Sequence, residues 1–297
     1  MTLKISFLHL FFFVSLLSAL ISCTSGGSGE ADKIIYMGGI PDQDISVLEE
    51  RFGAVADHLS DELNVNVEYV PVTDYASLVN AFKNGDITLA WFGGLTGLQA
   101  KSFAPGAVSV VQRPRDKEFT SVFVVNSSSK AESLADLKGS SFTFGSVNST
   151  SGHLMPRSFL LQAGVDPESD FQGVPNFSGS HDLTWKLVES GSFEAGALNA
   201  AVWERAVLEG SVDTSKVKAI HETPTYVDYQ WLAHPNLDKD FGDGFTDGIR
   251  NSMTAISGST DRERTILDLF ETDSFVPVDP SDYDDLEEIA RSLDMLR

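Results

Sequence analysis

The sequence predicts an α/β protein built as two lobes, and three observations carry the prediction. Between Lys33 and Phe92, short apolar runs alternate with amphipathic helical runs, the rhythm of an α/β unit with a mainly parallel sheet. A second strand-and-helix unit begins near Ser121. The chain has 297 residues; without an N-terminal leader about 275 remain, large for one core and ample for two.

Each element has its own signal. Lys33 to Met37 is an apolar strand running into Gly38-Gly39. Leu48, Phe52, Val55, Leu59 and Leu63 fall on one face of a helix. Val65 to Val70 alternates as a strand does, Tyr75 to Asn84 is a second amphipathic helix stopped by Gly85, and Ile87 to Phe92 is again a strand. In the second unit, Ser121 to Val125 and Phe142 to Phe144 read as strands around a helical turn at Leu134 to Leu137. Arg157 to Ala163 is a helix ended by Gly164, and Leu183 to Ser190 is another. Ala195 to Leu198 and Val217 to Ile220 are strands, an aromatic stretch runs from Thr223 to Trp231, and Phe241 to Arg297 is mostly helical by pattern.

Ligands of such sheets sit beyond the carboxyl ends of the strands. The candidates there are Ile40-Pro41-Asp42, Thr73-Asp74-Tyr75, Trp91-Phe92-Gly93-Gly94 and Ser149-Thr150-Ser151. The last is the most informative, because three consecutive hydroxyl residues stand between a strand and a helix. The first N–H groups of a helix lack intrahelical acceptors and carry the positive end of the macrodipole, so this arrangement receives anions. A single Ser or Thr there is usually a cap. One cap accounts for one hydroxyl and leaves two.

Residues 1–22 read as a secretory leader, with Lys4 ahead of a long apolar run that closes on Leu20-Ile21-Ser22-Cys23. Cys23 is the only cysteine, so it cannot form an internal disulfide. Residues 23–31 follow as a Ser/Gly-rich tether. The formal charge of -22 argues against nucleic acid and anionic membrane surfaces as partners. It does not argue against a small anion, since exposed charge is screened within about 10 Å whereas donors in a closed cleft are not.

Several segments together resemble the substrate-binding proteins of phosphonate/phosphite/phosphate ABC importers. They are Val70-Pro71-Val72-Thr73-Asp74-Tyr75, Leu89-Ala90-Trp91-Phe92-Gly93, Asn148 to Pro156 and Gly179-Ser180-His181-Asp182. Ile40-Pro41-Asp42-Gln43-Asp44, Trp91 to Gly97, Ser178 to Asp182 and Thr223-Pro224-Thr225-Tyr226 are similar to a branch of that family described as selenate-binding. The ending at Cys23 resembles the lipobox of bacterial lipoproteins. The resemblance implies a two-lobed periplasmic-binding-protein fold (type II), with lobe 1 at 32–119 plus 229–297, lobe 2 at 120–228, and two crossing strands. It also implies a lipid anchor on Cys23, permease and ATPase partners, a monomer, and neither cofactor nor metal. Its oxyanion donors fall on Ser149, Thr150, Ser151 and His181, its cleft tyrosine on Tyr75, and its acidic positions on Asp182 and Asp228. Phe92 stands where phosphonate binders commonly carry Tyr.

The residues bear on these assignments one by one. Gly93-Gly94 allows close backbone approach, so an aromatic of the Trp91-Phe92 pair is expected at the cleft. Asp182 reads equally as a helix-starting residue and as a ligand contact. Pro41, Trp91, Tyr226 and Tyr229 complete the candidate set. A Ser/His hydrolase is the rival reading, built on Ser151, His181 and Asp182. Sequence-adjacent His and Asp are poorly placed for a triad, and no Gly-x-Ser-x-Gly elbow occurs. A non-transport surface lipoprotein would leave the strand-end donors unexplained. An inward-facing Asp favours a phosphorus oxyanion that keeps a proton to donate. A bare dianion such as selenate or sulfate requires the carboxylates to turn toward His181 or backbone N–H groups.

Overall fold

A computed structural model describes residues 33–296. The leader, the tether and Cys23 lie outside the described residues. The chain begins with β1 (Ile34–Gly39), α1 (Ile45–Leu63), β2 (Asn66–Tyr69), α2 (Tyr75–Asn84), β3 (Leu89–Phe92) and α3 (Gly94–Phe103), then the short strands β4 (Val108–Ser109) and β5 (Val111–Gln112). After a crossing segment come β6 (Ser121–Asn126) and β7 (Phe142–Phe144), then a π-helical turn, Thr150–Leu154, running into α4 (Met155–Gln162). Next are β8 (Asn176–Phe177), α5 (His181–Glu189), β9 (Ala195–Asn199), α6 (Ala200–Leu208) and β10 (Val217–Glu222). The chain then returns through β11 (Gln230–Ala233), α7 (Asn236–Phe241), α8 (Phe245–Thr254), α9 (Asp261–Phe270), β12 (Val276–Pro277) and α10 (Asp284–Ser292).

Two five-stranded sheets result, in the orders β2-β1-β3-β11-β4 and β10-β6-β9-β7-β8. The expected parallel pairing holds for β1 with β2 and β3, and for β7 with β8 and β9. Outside that rhythm, β11 and β6 pair antiparallel with their neighbours. Both strands enter their sheets from a crossing segment rather than through a helical crossover, so no rule imposes a parallel direction on them. At the crossing, Phe119 and Tyr226 exchange backbone hydrogen bonds of 2.7 and 2.9 Å. Asp228 N donates to Asp116 O, and Thr223 N to Ser121 O, each at 2.9 Å.

Local chemistry fixes the element ends that position the site. Asp44 caps α1 and Asp74 caps α2, each accepting a backbone N–H, while α2 stops at Gly85 with φ 77°. Leu48, Phe52, Val55 and Leu59 are buried along α1. The helix expected from Leu183 begins earlier, at His181, because the Ser180 hydroxyl accepts from Leu183 N and caps it there. The helix expected from Arg157 begins at Met155 for a similar reason: the capped turn before it feeds straight in, and Pro156 sits in the first turn where its missing N–H costs nothing. Helices α3 and α6 were not read from the sequence, and α3 lacks a periodic signal. In α3, Gly94, Leu95, Thr96, Gly97, Leu98 and Ala100 are buried nearly all round, so no polar stripe marks its face.

Candidate functional site

Two helix N-termini meet between the sheets. On the first sheet, β3 ends at Phe92 and is followed by Gly93, the N-cap of α3. On the second, β7 leads to the hydroxyl turn, where Ser149 Oγ accepts from Gly152 N at 2.9 Å. Thr150 Oγ1 accepts from Leu95 N at 3.0 Å, joining the turn to the start of α3. Ser149, Thr150 and Ser151 are all buried. Glycine is needed where the halves approach. A Cβ at Gly93 would lie 3.2 Å from both Asp228 Oδ1 and Thr150 Oγ1. One at Gly152 would lie 2.9 Å from Ser149 Oγ, 3.1 Å from Gly145 Cα and 3.2 Å from His181 Cε1.

Asp228 lies at the meeting point. Its Oδ1 accepts from Gly94 N at 2.9 Å, while Oδ2 is buried and has no partner. Burial pushes its carboxyl up to about 7, against the opposite pull of Gly94 N–H and the hydroxyls of Thr150 and Ser151. The Tyr75 hydroxyl is likewise buried without a partner. Burial raises it well above the usual tyrosine range, and the Asp42 and Asp228 carboxyls push the same way. A donor (Tyr75 O–H) and an acceptor (Asp228 Oδ2) near enough to act on each other are thus both buried without a partner. Such unpaired buried groups are costly unless a partner meets them.

The two carboxylates assigned from sequence have different surroundings. Asp182 is half-buried, and its Oδ2 accepts from Asp44 N of the first sheet's α1 cap at 2.9 Å. It therefore fastens one half to the other and is not paired with His181, which removes the geometry of a hydrolase triad. The fully buried His181 sits beside Asp42 and Tyr229, its backbone N donating to Asp42 O at 3.0 Å. Burial depresses its imidazole to about 4, so the ring is neutral at pH 7.

Among the other candidates, Trp91 stacks on Tyr229 with ring centroids 5.4 Å apart, and the buried Arg113 guanidinium lies 5.1 Å from the Tyr229 ring. The Phe92 ring meets Phe82 edge to face at 5.3 Å, a core contact. Pro41 is half-buried next to Asp42. Tyr226 hydrogen bonds through its hydroxyl to Ser121, which in turn donates to Ser151 O at 2.7 Å, so it braces the turn from the crossing. Asp42, one of the strand-end candidates, was not carried into the assigned site residues, and Asn199, the last residue of β9, was missed; the strand end was the available signal for both. Among the described residues no group of His, Cys, Asp and Glu has the arrangement of a metal site.

A family model described as "ABC transporter, phosphonate, periplasmic substrate-binding protein" matches residues 37–283. The chain is 41% identical over 295 residues to the "Probable ABC transporter phosphite binding protein PhnD1" of Prochlorococcus marinus strain MIT 9301, covering 97% of this chain and 99% of that protein. It is 23% identical to the phosphonates-binding periplasmic protein of Escherichia coli K12, over 86% of this chain and 75% of the relative. The solved structure of P. marinus PhnD1 in complex with methylphosphonate superposes with a TM-score of 0.87 at 43% identity, covering 89% of this chain and all of that one.

Proposed function

The chain belongs to the phosphonate periplasmic substrate-binding protein family of ABC transporters, and from that premise we propose that its cleft captures hydrogen phosphite or a short alkylphosphonate as a monoanion. It is a periplasmic solute-binding protein of the phosphonate/phosphite importer type and not an enzyme. Family membership implies a cognate permease and ATPase as its partners.

One observation carries the choice of ligand: Asp228 Oδ2 is a buried, unpartnered acceptor set among donors. A phosphorus monoanion presents oxygens to the N–H groups of Thr150 and Ser151, to the hydroxyls of Ser149 to Ser151, to Tyr75 and to His181, and an O–H to Asp228; Ser149 N already donates to Ser146 O. The phosphite name of one relative and the methylphosphonate complex of its structure support this reading. Selenate, suggested by the branch resemblance, is a bare dianion and has no proton for Asp228. Nothing in the matched family or in these relatives speaks for it. Asp182 acts here as a rim fastener, and Phe92 as support for Gly93. We take 32–119 with 229–297 and 120–228 as the two lobes, which close on the ligand in a monomer. Cys23 is the acylated first residue of the mature chain; more than one acyl chain is needed for stable anchoring. Replacing Cys23 with Ala should release the protein from membranes.

The test is titration calorimetry with phosphite, methylphosphonate, phosphate, sulfate and selenate at pH 6 and 8. Phosphite or methylphosphonate should bind tightest, and a hundredfold excess over Kd should stabilise the fold by about 2.7 kcal/mol. Absence of heat and of thermal shift with all five anions would sink the proposal.

A further inference from the structure

We infer that Asp42, Tyr229 and Asn199 form a one-way hydrogen-bond chain that fixes His181 as the tautomer with its proton on Nε2, making Asp42 a positioning residue of the binding site. With Asp42 ionised beside Arg51 and Arg113, the direction of each bond follows from the groups present. Asn199 Oδ1 accepts from Ala201 N at 2.8 Å and Val202 N at 3.2 Å, so the other side-chain atom is the amide nitrogen. That nitrogen can only donate, and it reaches Tyr229 Oη at 3.2 Å. Burial pushes the Asp42 carboxyl up while Arg51 and Arg113 pull it down; as a carboxylate it only accepts, and Tyr229 donates to its Oδ2 at 2.8 Å. The single Tyr229 proton is therefore committed, and its oxygen offers only lone pairs to His181 Nε2, 3.5 Å away. At the far side of the ring, Asn199 N donates to Nδ1 at 3.3 Å. A neutral imidazole that accepts at Nδ1 carries its proton on Nε2.

All four residues are buried, and they come from different parts of the fold. Asp42 follows β1 of the first sheet, Tyr229 ends the returning crossing, and Asn199 and His181 belong to the second sheet's β9 and α5. The chain is complete only when the halves are together. Asp42 holds His181 twice, through Tyr229 and through its own carbonyl, which accepts from His181 N at 3.0 Å. The ring edge at Cε1 is thereby set against Gly152 of the hydroxyl turn. The Nε2 proton has only a long bond to Tyr229, so an oxyanion in the turn can share it. Asp42 thus acts through His181 and need not touch the ligand.

Long-range proton–nitrogen NMR of the imidazoles tests this in the full soluble domain, with His181 assigned by a His181→Gln variant. In the wild type at neutral pH, His181 should be the Nε2–H tautomer alone. Tyr229→Phe and Asp42→Ala should give a mixture of tautomers, and Asp42→Asn, whose amide oxygen can still accept from Tyr229, should restore the single form. A wild-type Nδ1–H or imidazolium signal, or a tautomer unmoved by both disruptive variants, overturns the inference. If Asp42→Ala fails to fold, the wild-type spectrum and the Tyr229→Phe variant still decide. The affinity effect rests on the oxyanion reading: Asp42→Ala should weaken phosphite binding about tenfold, the loss of one modest hydrogen bond. A wild type that gives no heat with phosphite rejects that reading, while the spectra still judge the chain.

Discussion

Replacing Asp228 with Asn changes one atom at the centre of the site and reverses what that atom can do. The Asn carbonyl can still accept from Gly94 N, as Asp228 Oδ1 does at 2.9 Å. The unpartnered Oδ2 becomes an NH2 group, a donor in place of an acceptor. A ligand that donates an O–H to this position loses a hydrogen bond to a charged group, worth roughly 1.5–3 kcal/mol, or about ten- to a hundredfold in Kd. A bare dianion gains a donor and loses a repulsive charge, so its affinity should hold or rise. Calorimetry on both proteins should thus show phosphite and methylphosphonate weakened while sulfate and selenate are not. The pH profile gives a second readout. With the carboxyl raised from 3.8 to about 7 by burial, the folded state holds a proton that the unfolded chain has released. Its stabilising contribution is complete below the unfolded value and is lost as pH rises through about 7. Unliganded wild type should therefore lose melting temperature across that window, and Asp228→Asn should flatten the loss. Unchanged phosphite and methylphosphonate affinity in Asp228→Asn would refute the proton-donor argument and the preference for a phosphorus oxyanion.

The hydroxyl turn separates capping from binding. Ser149→Ala removes the acceptor for Gly152 N and should cost about 1 kcal/mol in thermal or urea unfolding. Ser151→Ala should leave stability near wild type and weaken phosphite about tenfold by calorimetry. Gly152→Ala places a Cβ against Ser149, Gly145 and His181; the turn must shift, and both melting temperature and phosphite affinity should fall, whereas a variant binding as tightly as wild type would show the turn to be slack. Asp182→Ala leaves Asp44 N without its acceptor and should speed ligand release in stopped-flow experiments while keeping the ranking of the five anions. A changed ranking would return Asp182 to the ligand.

Much of the architecture was legible because burial wrote a period into the sequence. The faces of α1 and α2 show it, and so do the strand ends that gather Tyr75, Gly93 and Ser149 to Ser151. Helix α3 was not legible, since an element buried nearly all round has no polar face to set its period; α6 was missed although its buried and exposed residues are segregated. Side-chain direction was hidden for another reason. Asp182 and Asp228 are chemically alike in sequence, yet one is tied to Asp44 N at the rim and the other keeps a buried oxygen free. That difference arises from which backbone N–H the fold brings up to each, Asp44 N of the other sheet for Asp182 and Gly94 N beside β3 for Asp228, contacts between residues more than a hundred positions apart. Asp42 stood among the strand-end candidates, but its role was hidden because its partner Tyr229 lies 187 positions further along the chain.

How so acidic a chain holds an anion follows from the buried charges around the cleft. Arg113 is paired with Asp116 at 2.6 Å, and Arg51 and Asp42 are the neighbouring buried cation and anion, each shifting the other's titration. The two cations offset the two carboxylates, so this cluster supplies no excess positive charge to attract a ligand. Binding must come from oriented N–H and O–H dipoles, which act strongly in a closed space. Asp228 is the one remaining charge, and with its carboxyl near 7 it is poised to change state. A second negative charge beside it in low dielectric is costly, so an anion enters best when one proton is shared between its oxygen and Asp228. Hydrogen phosphite and alkylphosphonates can bring that proton at neutral pH, whereas sulfate and selenate require Asp228 to take it from solvent. Selection by protonation follows from this site without any excess of positive charge.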